Sequence, residues 1–201
     1  MFGARFAKRM AARYRKRGLD ATARAIVDLV TQGGVQGATV LEVGGGVGEI
    51  QLELLRRGAA SATNLELSPG YEPEAAALIE YAGLGDRVHR RLIDIATDPD
   101  AVEPADIVVL HRVVCCYPDV TKLLGAAADH ARRQLVFSHP PLNAVSLAVV
   151  ATQNLLFRAL GRDFRTFAHP PDAMLAVLAE HGLQLRAAHS GRVWQVAAVS
   201  R

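Results

Sequence analysis

The sequence has only two cysteines, Cys115 and Cys116, and they are adjacent. Neighbouring cysteines rarely bridge without strain, so the chain reads as disulfide-free and cytoplasmic. Both are expected to be buried packing residues rather than nucleophiles. No Cys/His cluster has the spacing of a zinc site, so no metal is expected. No stretch runs 18 residues without a polar interruption, and no transmembrane segment is expected. Residues 1–17 lack the apolar centre of a secretory signal. Repeats, linkers and low-complexity tracts are also missing.

The first segment lacks acids. Arg5, Lys8, Arg9, Arg13, Arg15, Lys16 and Arg17 are seven cations with no carboxylate before Asp20. Without them the chain holds 16 basic against 20 acidic residues, so the overall net charge of +3 and the isoelectric point near 9.1 belong to this arm. Phe2, Phe6, Met10 and Tyr14 recur at spacing four, an apolar stripe on a cationic helix. Residues 1–18 are therefore a basic arm. Its candidate roles are a helix packed on the domain, a lid, a contact to an acidic substrate or nucleic acid, and a membrane-surface helix.

What is present in quantity is apolar: half of the 201 residues, with mean hydropathy +0.14. This suffices for one α/β domain with a full core. The stretch that organises it is Thr39-Val40-Leu41-Glu42-Val43-Gly44-Gly45-Gly46-Val47-Gly48-Glu49. Val40, Leu41 and Val43 suit a buried strand, and a helix-like run from Glu49 to Arg57 follows the glycines. A strand, a glycine turn and a helix bring backbone N–H groups against a small polar ligand. A nicotinamide fingerprint, G-x-G-x-x-G, started at Gly44 would need its third glycine where Glu49 stands. The sequence instead reads Glu42-x-Gly44-x-Gly46-x-Gly48, an acid and three glycines at spacing two.

That pattern resembles motif I of the class I S-adenosylmethionine-dependent methyltransferases, and the resemblance extends over residues 19–201. It implies a Rossmann-like α/β fold: a seven-stranded, mostly parallel sheet with helices on both faces and a C-terminal antiparallel hairpin. Residues 19–201 then form a single cofactor-binding domain with a helical insert at 142–166. The resemblance places Gly44, Gly45, Gly46 and Gly48 beside the methionine part of the cofactor, and Glu42 at its charged end.

Taken in order, the spacing predicts a helix at 21–31, strands at 38–43 and 60–67, and helices at 48–57 and 69–82. Glu66 ends the second strand, where a carboxylate in an open parallel sheet accepts ribose hydroxyls; by the resemblance Leu67 lies along the adenine. A third strand, 87–93, ends at Asp94-Ile95, which the resemblance assigns to the adenine amino group and ring. The fourth strand, 106–110, ends at His111, and the fifth, 135–138, at His139. Ligands in open α/β sheets lie outside the carboxyl ends of the strands, so both histidines are candidate catalytic groups. His111 also belongs to the expected cofactor wall. A helix is predicted at 120–132 and another at 173–181. Two strands, 183–187 and 193–199, form the hairpin, with Trp194 in its core. The apolar run 142–160 reads as an inserted helix that roofs a substrate pocket or forms a homodimer face.

The segment from His111 to Asp119 lacks the Asn/Asp-Pro-Pro-aromatic signature of enzymes that methylate amino groups of bases or glutamine. The resemblance therefore implies a methyl transfer to a small-molecule acceptor, with oxygen the expected target. Its cofactor is S-adenosyl-L-methionine and its product S-adenosyl-L-homocysteine. Tyr14, Tyr117 and Phe164 are the candidate substrate-pocket residues, with Arg112, Arg158, Arg162 and Arg165 available to acceptor carboxylates. Two alternatives stand beside this: an RNA- or ribosome-associated methyltransferase using the basic arm, and a nucleotide-binding protein without catalysis.

Overall fold

The computed structural model describes residues 3–191 and 193–201. Seven helices and seven strands are the main elements: α1 (Ala4–Arg17), α2 (Ala21–Gln32), β1 (Thr39–Val43), α3 (Glu49–Arg56), β2 (Ser61–Leu65), α4 (Glu72–Ala82) and β3 (Val88–Arg91). They continue as β4 (Ala105–Leu110), α5 (Val120–Asp129), β5 (Ala131–His139), α6 (Ala144–Ala159), α7 (Pro171–Glu180), β6 (Gln184–Ser190) and β7 (Gln195–Ser200). The strands form one sheet in the order β3-β2-β1-β4-β5-β7-β6. The first five are parallel, and β7 runs antiparallel between β5 and β6. The strand order reverses between β1 and β4, which is where a doubly wound sheet opens its ligand crevice.

The central strands are dry on both faces, whereas the edge strand β6 is largely exposed, and successive side chains of a strand point to opposite faces. Val40, Ile107, Val109, Val136 and Ala198 pack with α1–α4. Their neighbours Leu41, Val108, Leu110, Leu135, Phe137 and Val199 pack with α5 and α7. Two apolar layers thus share one sheet, and the continuous hydrophobic runs in the sequence follow from it.

Three expectations need correction. The helix foreseen at 120–132 ends at Asp129, and β5 begins at Ala131, earlier than position 135. His130 closes the helix by bonding its Nδ1 to the Ala126 carbonyl at 2.7 Å. Ala131 then pairs with Ala105, and Arg132 and Arg133 extend along the exposed start of the strand. Trp194 is half-buried rather than core, with the Arg112 guanidinium 5.3 Å above its ring. In α1 the buried positions are Ala7, Ala11 and Tyr14, whereas Phe6 is 40% exposed. The small alanines allow close approach to α4, so the buried stripe keeps Tyr14 of the expected set but runs through Ala7 and Ala11 rather than Phe6. Phe2 of the expected stripe lies outside the described residues.

Candidate functional site

The chain leaves β1 at Val43 and turns over the carboxyl end of the sheet. Gly44 N–H donates to the Leu65 carbonyl at 2.7 Å, which draws the loop across to β2. Gly44 and Gly46 take left-handed φ values of 64° and 56°, a region where a Cβ is strained. Space is restricted as well: a Cβ on Gly44 would lie 2.6 Å from Val113 Cγ2. Gly48 is the N-cap of α3, so the loop delivers its backbone to a helix N-terminus.

Glu66, one residue beyond β2, accepts from three backbone N–H groups: Gly46 at 2.9 Å through Oε2, and Leu67 at 2.8 Å and Ser68 at 2.9 Å through Oε1. A carboxylate offers about four acceptor sites, so capacity for a further donor remains. Leu67 beside it is 47% exposed on the lip of the cleft. Asp94 follows β3; its Oδ1 accepts from Ala96 N at 3.0 Å and its Oδ2 from the Tyr117 hydroxyl at 2.9 Å. Burial and then the Asp94 bond push the Tyr117 phenol up to about 12. The Ile95 side chain is buried in the layer below, so its contribution at the surface is backbone. The structure therefore brings the glycine loop, Glu66, Leu67, Asp94 and Tyr117 to one edge of the sheet.

Glu42 lies deeper than the other motif residues. It is 2% exposed and sits beneath the loop, where its Oε2 accepts from Gln51 N at 3.2 Å and Asn64 Nδ2 at 3.5 Å. Burial, followed by the nearby Glu49 carboxylate, raises its pKa to about 8. Glu42 braces the turn into α3 from below.

A second cluster stands over β4 and β5. His111 Nδ1 is 3.0 Å from Ser138 Oγ, and Ser138 Oγ also accepts from Arg112 N at 2.9 Å. Arg112 holds a left-handed φ of 59°, the one described non-glycine residue to do so. Its guanidinium bonds Asp20 Oδ2 at 2.8 Å, and Arg13 reaches the same oxygen at 3.3 Å. Burial opposes ionisation of Asp20, but the Ala23 N–H and these guanidinium groups hold its carboxyl below the usual range. Burial, followed by Arg112, lowers His111 to about 3, so its ring is neutral at physiological pH. His111 Nε2 and Glu49 Oε2 are buried without a partner.

Sequence reasoning missed Asp20, Arg112 as its partner, Gln51 and Tyr71. Tyr71 lies on the turn Pro69–Tyr71 with its ring against Gly46, 3.4 Å from where a Cβ would stand. The only local signal was the Ser68-Pro69 helix start. The two histidines are not brought together. Ser138 turns to the face of the sheet that holds His111, whereas His139 turns to the other, its ring 5.6 Å from that of Phe137 and its Nδ1 on the Pro140 carbonyl at 3.0 Å. Burial also lowers the His139 pKa. Tyr14 bonds Glu53 at 2.7 Å and receives Arg56 at 2.8 Å, which commits it to the α1–α3 contact. Phe164 packs on Phe157 of α6, edge to face at 5.4 Å. Cys115 is buried as expected; Cys116 is half-buried with its sulfur 3.5 Å from that of Cys115.

The strand order and the glycine crevice define the fold of the class I S-adenosylmethionine-dependent methyltransferases. Among solved structures, the chain is similar to the magnesium protoporphyrin IX methyltransferase of Synechocystis PCC 6803 with bound SAH. That match has a TM-score of 0.73 at 22% identity and covers 90% of this chain and 81% of that one. It is also similar to an O-methyltransferase family protein from Burkholderia thailandensis, with a TM-score of 0.72 at 22% identity, covering 90% of this chain and 56% of that one. A putative sarcosine dimethylglycine methyltransferase from Galdieria sulphuraria matches with a TM-score of 0.70 at 13% identity, over 89% and 84%. At these identities the likeness is one of fold. No family model matches the chain, and no curated protein matches its sequence.

Proposed function

We propose that this protein is an S-adenosylmethionine-dependent methyltransferase that methylates a small-molecule acceptor, with oxygen as the atom modified. One observation carries the reading. Glu66 at the tip of β2 is hydrogen-bonded to the glycine loop at the tip of β1, through Gly46 N at 2.9 Å. Carboxylate and bare backbone thus share one cradle beside Asp94 and the exposed Leu67.

The donor set fits the cofactor. Glu66 retains acceptor capacity for ribose hydroxyls and Asp94 offers oxygens to an adenine amino group. Gly44–Gly48 lets backbone approach, and Glu49, in the first turn of the helix the loop feeds, keeps an unpartnered buried oxygen suited to a charged amino-acid end. When bound, the cofactor supplies an electrophilic methyl on a sulfonium whose thioether is the leaving group. The chain's own contribution is to position the acceptor in line with that methyl and exclude water, which can account for most of the acceleration.

His111 orients rather than titrates in this reading. The Ser138 hydroxyl accepts Arg112 N–H and donates its own O–H to an unprotonated His111 Nδ1, which satisfies both groups. The neutral ring's single proton then sits on Nε2, a buried donor that no protein group meets. Such a donor holds an acceptor oxygen or carboxylate in place. A carboxylate acceptor needs no base, and a phenol would release its proton to solvent or to another group.

Calorimetry tests the reading. S-adenosylmethionine and S-adenosylhomocysteine are expected to bind with micromolar dissociation constants while NAD does not; equal binding of NAD would reject it. Bound RNA with a steep salt dependence, and no transfer to small acceptors, would favour the alternative that rests on the basic arm.

A further inference from the structure

The insert is built inside out. In α6 the half-buried positions are Ser146, Val150, Asn154 and Phe157, one stripe at helical spacing that faces the domain. Asn154 is the anchor: its side chain receives Thr166 N and donates to the Thr166 carbonyl, both at 2.8 Å. The outward side carries Val145 at 73% exposure, Leu155 at 69%, Leu156 at 56% and Leu160 at 58%. No residue of the 16-residue helix is buried. An apolar face of this extent is not a normal solvent surface.

With Leu147 and Val149, exposed to 49% and 48%, the outward apolar positions span about 220° of the circumference at about 100° per residue. A single partner helix covers a narrower stripe, whereas a lipid plane wets them all. The insert's charge points the same way. Between residues 142 and 166 stand Arg158, Arg162 and Arg165 against one acid, Asp163, which complements anionic headgroups. The helix is about 24 Å long, and among the described residues no helix is long and apolar enough to cross a membrane. Its returning limb is rooted at the rim of the cleft. Phe167 N–H donates to the Cys115 carbonyl at 2.7 Å, and His169 Nε2 lies 3.1 Å from the carbonyl of Tyr117, whose hydroxyl meets Asp94.

We propose that α6 is an interfacial membrane-binding element. It lies along the surface of an anionic bilayer with its outward side in the boundary between headgroups and acyl chains, and it holds the mouth of the cleft against the lipid. This does not depend on methyl transfer. The test is flotation of the full-length protein with vesicles of phosphatidylcholine alone and of phosphatidylcholine with phosphatidylglycerol. The protein is expected to float with the anionic vesicles and to lose several-fold of that partition at high salt. The double variant Val145→Asp, Leu156→Asp is expected to partition at least tenfold less while keeping its melting temperature and its affinity for S-adenosylhomocysteine. Three results would each overturn the proposal. The unaltered protein could stay unbound with both vesicle types, or the double variant could float as well as the parent. Sedimentation could also show a dimer that the double variant dissociates without any vesicle binding, which would make α6 a contact between two copies of the chain.

Discussion

Replacing Glu42 with glutamine is expected to stabilise the protein, and to do so only where Glu42 would otherwise be asked to ionise. Its folded pKa is raised from 4.5 to about 8 by burial and by the Glu49 carboxylate. Below about pH 4.5 the group is protonated in both folded and unfolded chains and contributes nothing to the pH dependence. Between 4.5 and 8 the folded chain retains a proton that the unfolded chain releases, so stability falls as pH rises, by about 1.4 kcal/mol per unit. Above 8 the loss is complete. At pH 7 it amounts to about 3 kcal/mol. Glutamine keeps an acceptor for Gln51 N–H and Asn64 Nδ2 and carries no charge to bury. Urea unfolding of parent and variant at pH 5 and pH 7 reads the effect directly. The variant should gain under 1 kcal/mol at pH 5 and about 3 kcal/mol at pH 7, the latter equivalent to about 6–12 °C in melting temperature for a chain of this size. A parent–variant difference that is the same at both pH values would show that Glu42 ionises normally and that the buried-carboxylate reasoning fails.

Glu66→Ala should cost about 1–3 kcal/mol of S-adenosylhomocysteine affinity through lost charged hydrogen bonds; an unchanged calorimetric affinity removes Glu66 from the ribose role. His111→Ala should lower turnover more than cofactor affinity, and steady-state kinetics with equal losses in both would refute an orienting role. The pKa of His111 is depressed to about 3, so its contribution to stability is present above the unfolded value near 6.5 and is lost as pH falls toward 3; acid unfolding of His111→Asn should show a shallower decline. Deleting residues 1–17 should reduce stability by about 2–4 kcal/mol, because Tyr14, Ala7 and Ala11 are buried and Tyr14 is bonded to Glu53. Survival of both melting temperature and turnover would leave α1 with neither a packing nor a lid role.

The architecture was legible because both of its signals are local. Apolar strands of five or six residues separated by helical periodicity identify an α/β sheet, and the glycines at spacing two mark where it opens. The reach of local signals also explains the errors. Ala126 to Arg132 continues a helical composition, and only the pairing of Ala131 with Ala105 ends it. The cluster of Asp20, Arg13, Arg112 and His111 joins positions 92 residues apart through an ion pair, and no periodicity records such a contact. Arg112 is harder still, since its φ of 59° is imposed by the hydrogen bond to Ser138 and the ion pair, against the preference of its residue type.

The acid of the glycine motif shows why spacing alone misplaces a role. On β1, Glu42 has the same parity as Val40, so it must face α2 and α3, and the loop covers it. Its contacts are with Gln51 N–H and Asn64 Nδ2, which hold the loop and the start of α3. The unpaired groups around it sharpen the point. Among the described residues, eight buried side-chain atoms lack a partner. Seven belong to Glu49, Gln51, Asn64, Arg90, His111 and Arg112, and the eighth to Gln134. Each orphan costs about 1–3 kcal/mol, and a core under selection for stability alone would have removed them. They concentrate beneath and beside one glycine loop, where Arg90 also reaches the Gly46 carbonyl at 2.9 Å, and this supports the cofactor cradle proposed above. The unmet hydrogen bonds, as much as the glycines, mark the place where this fold leaves polar groups unpaired.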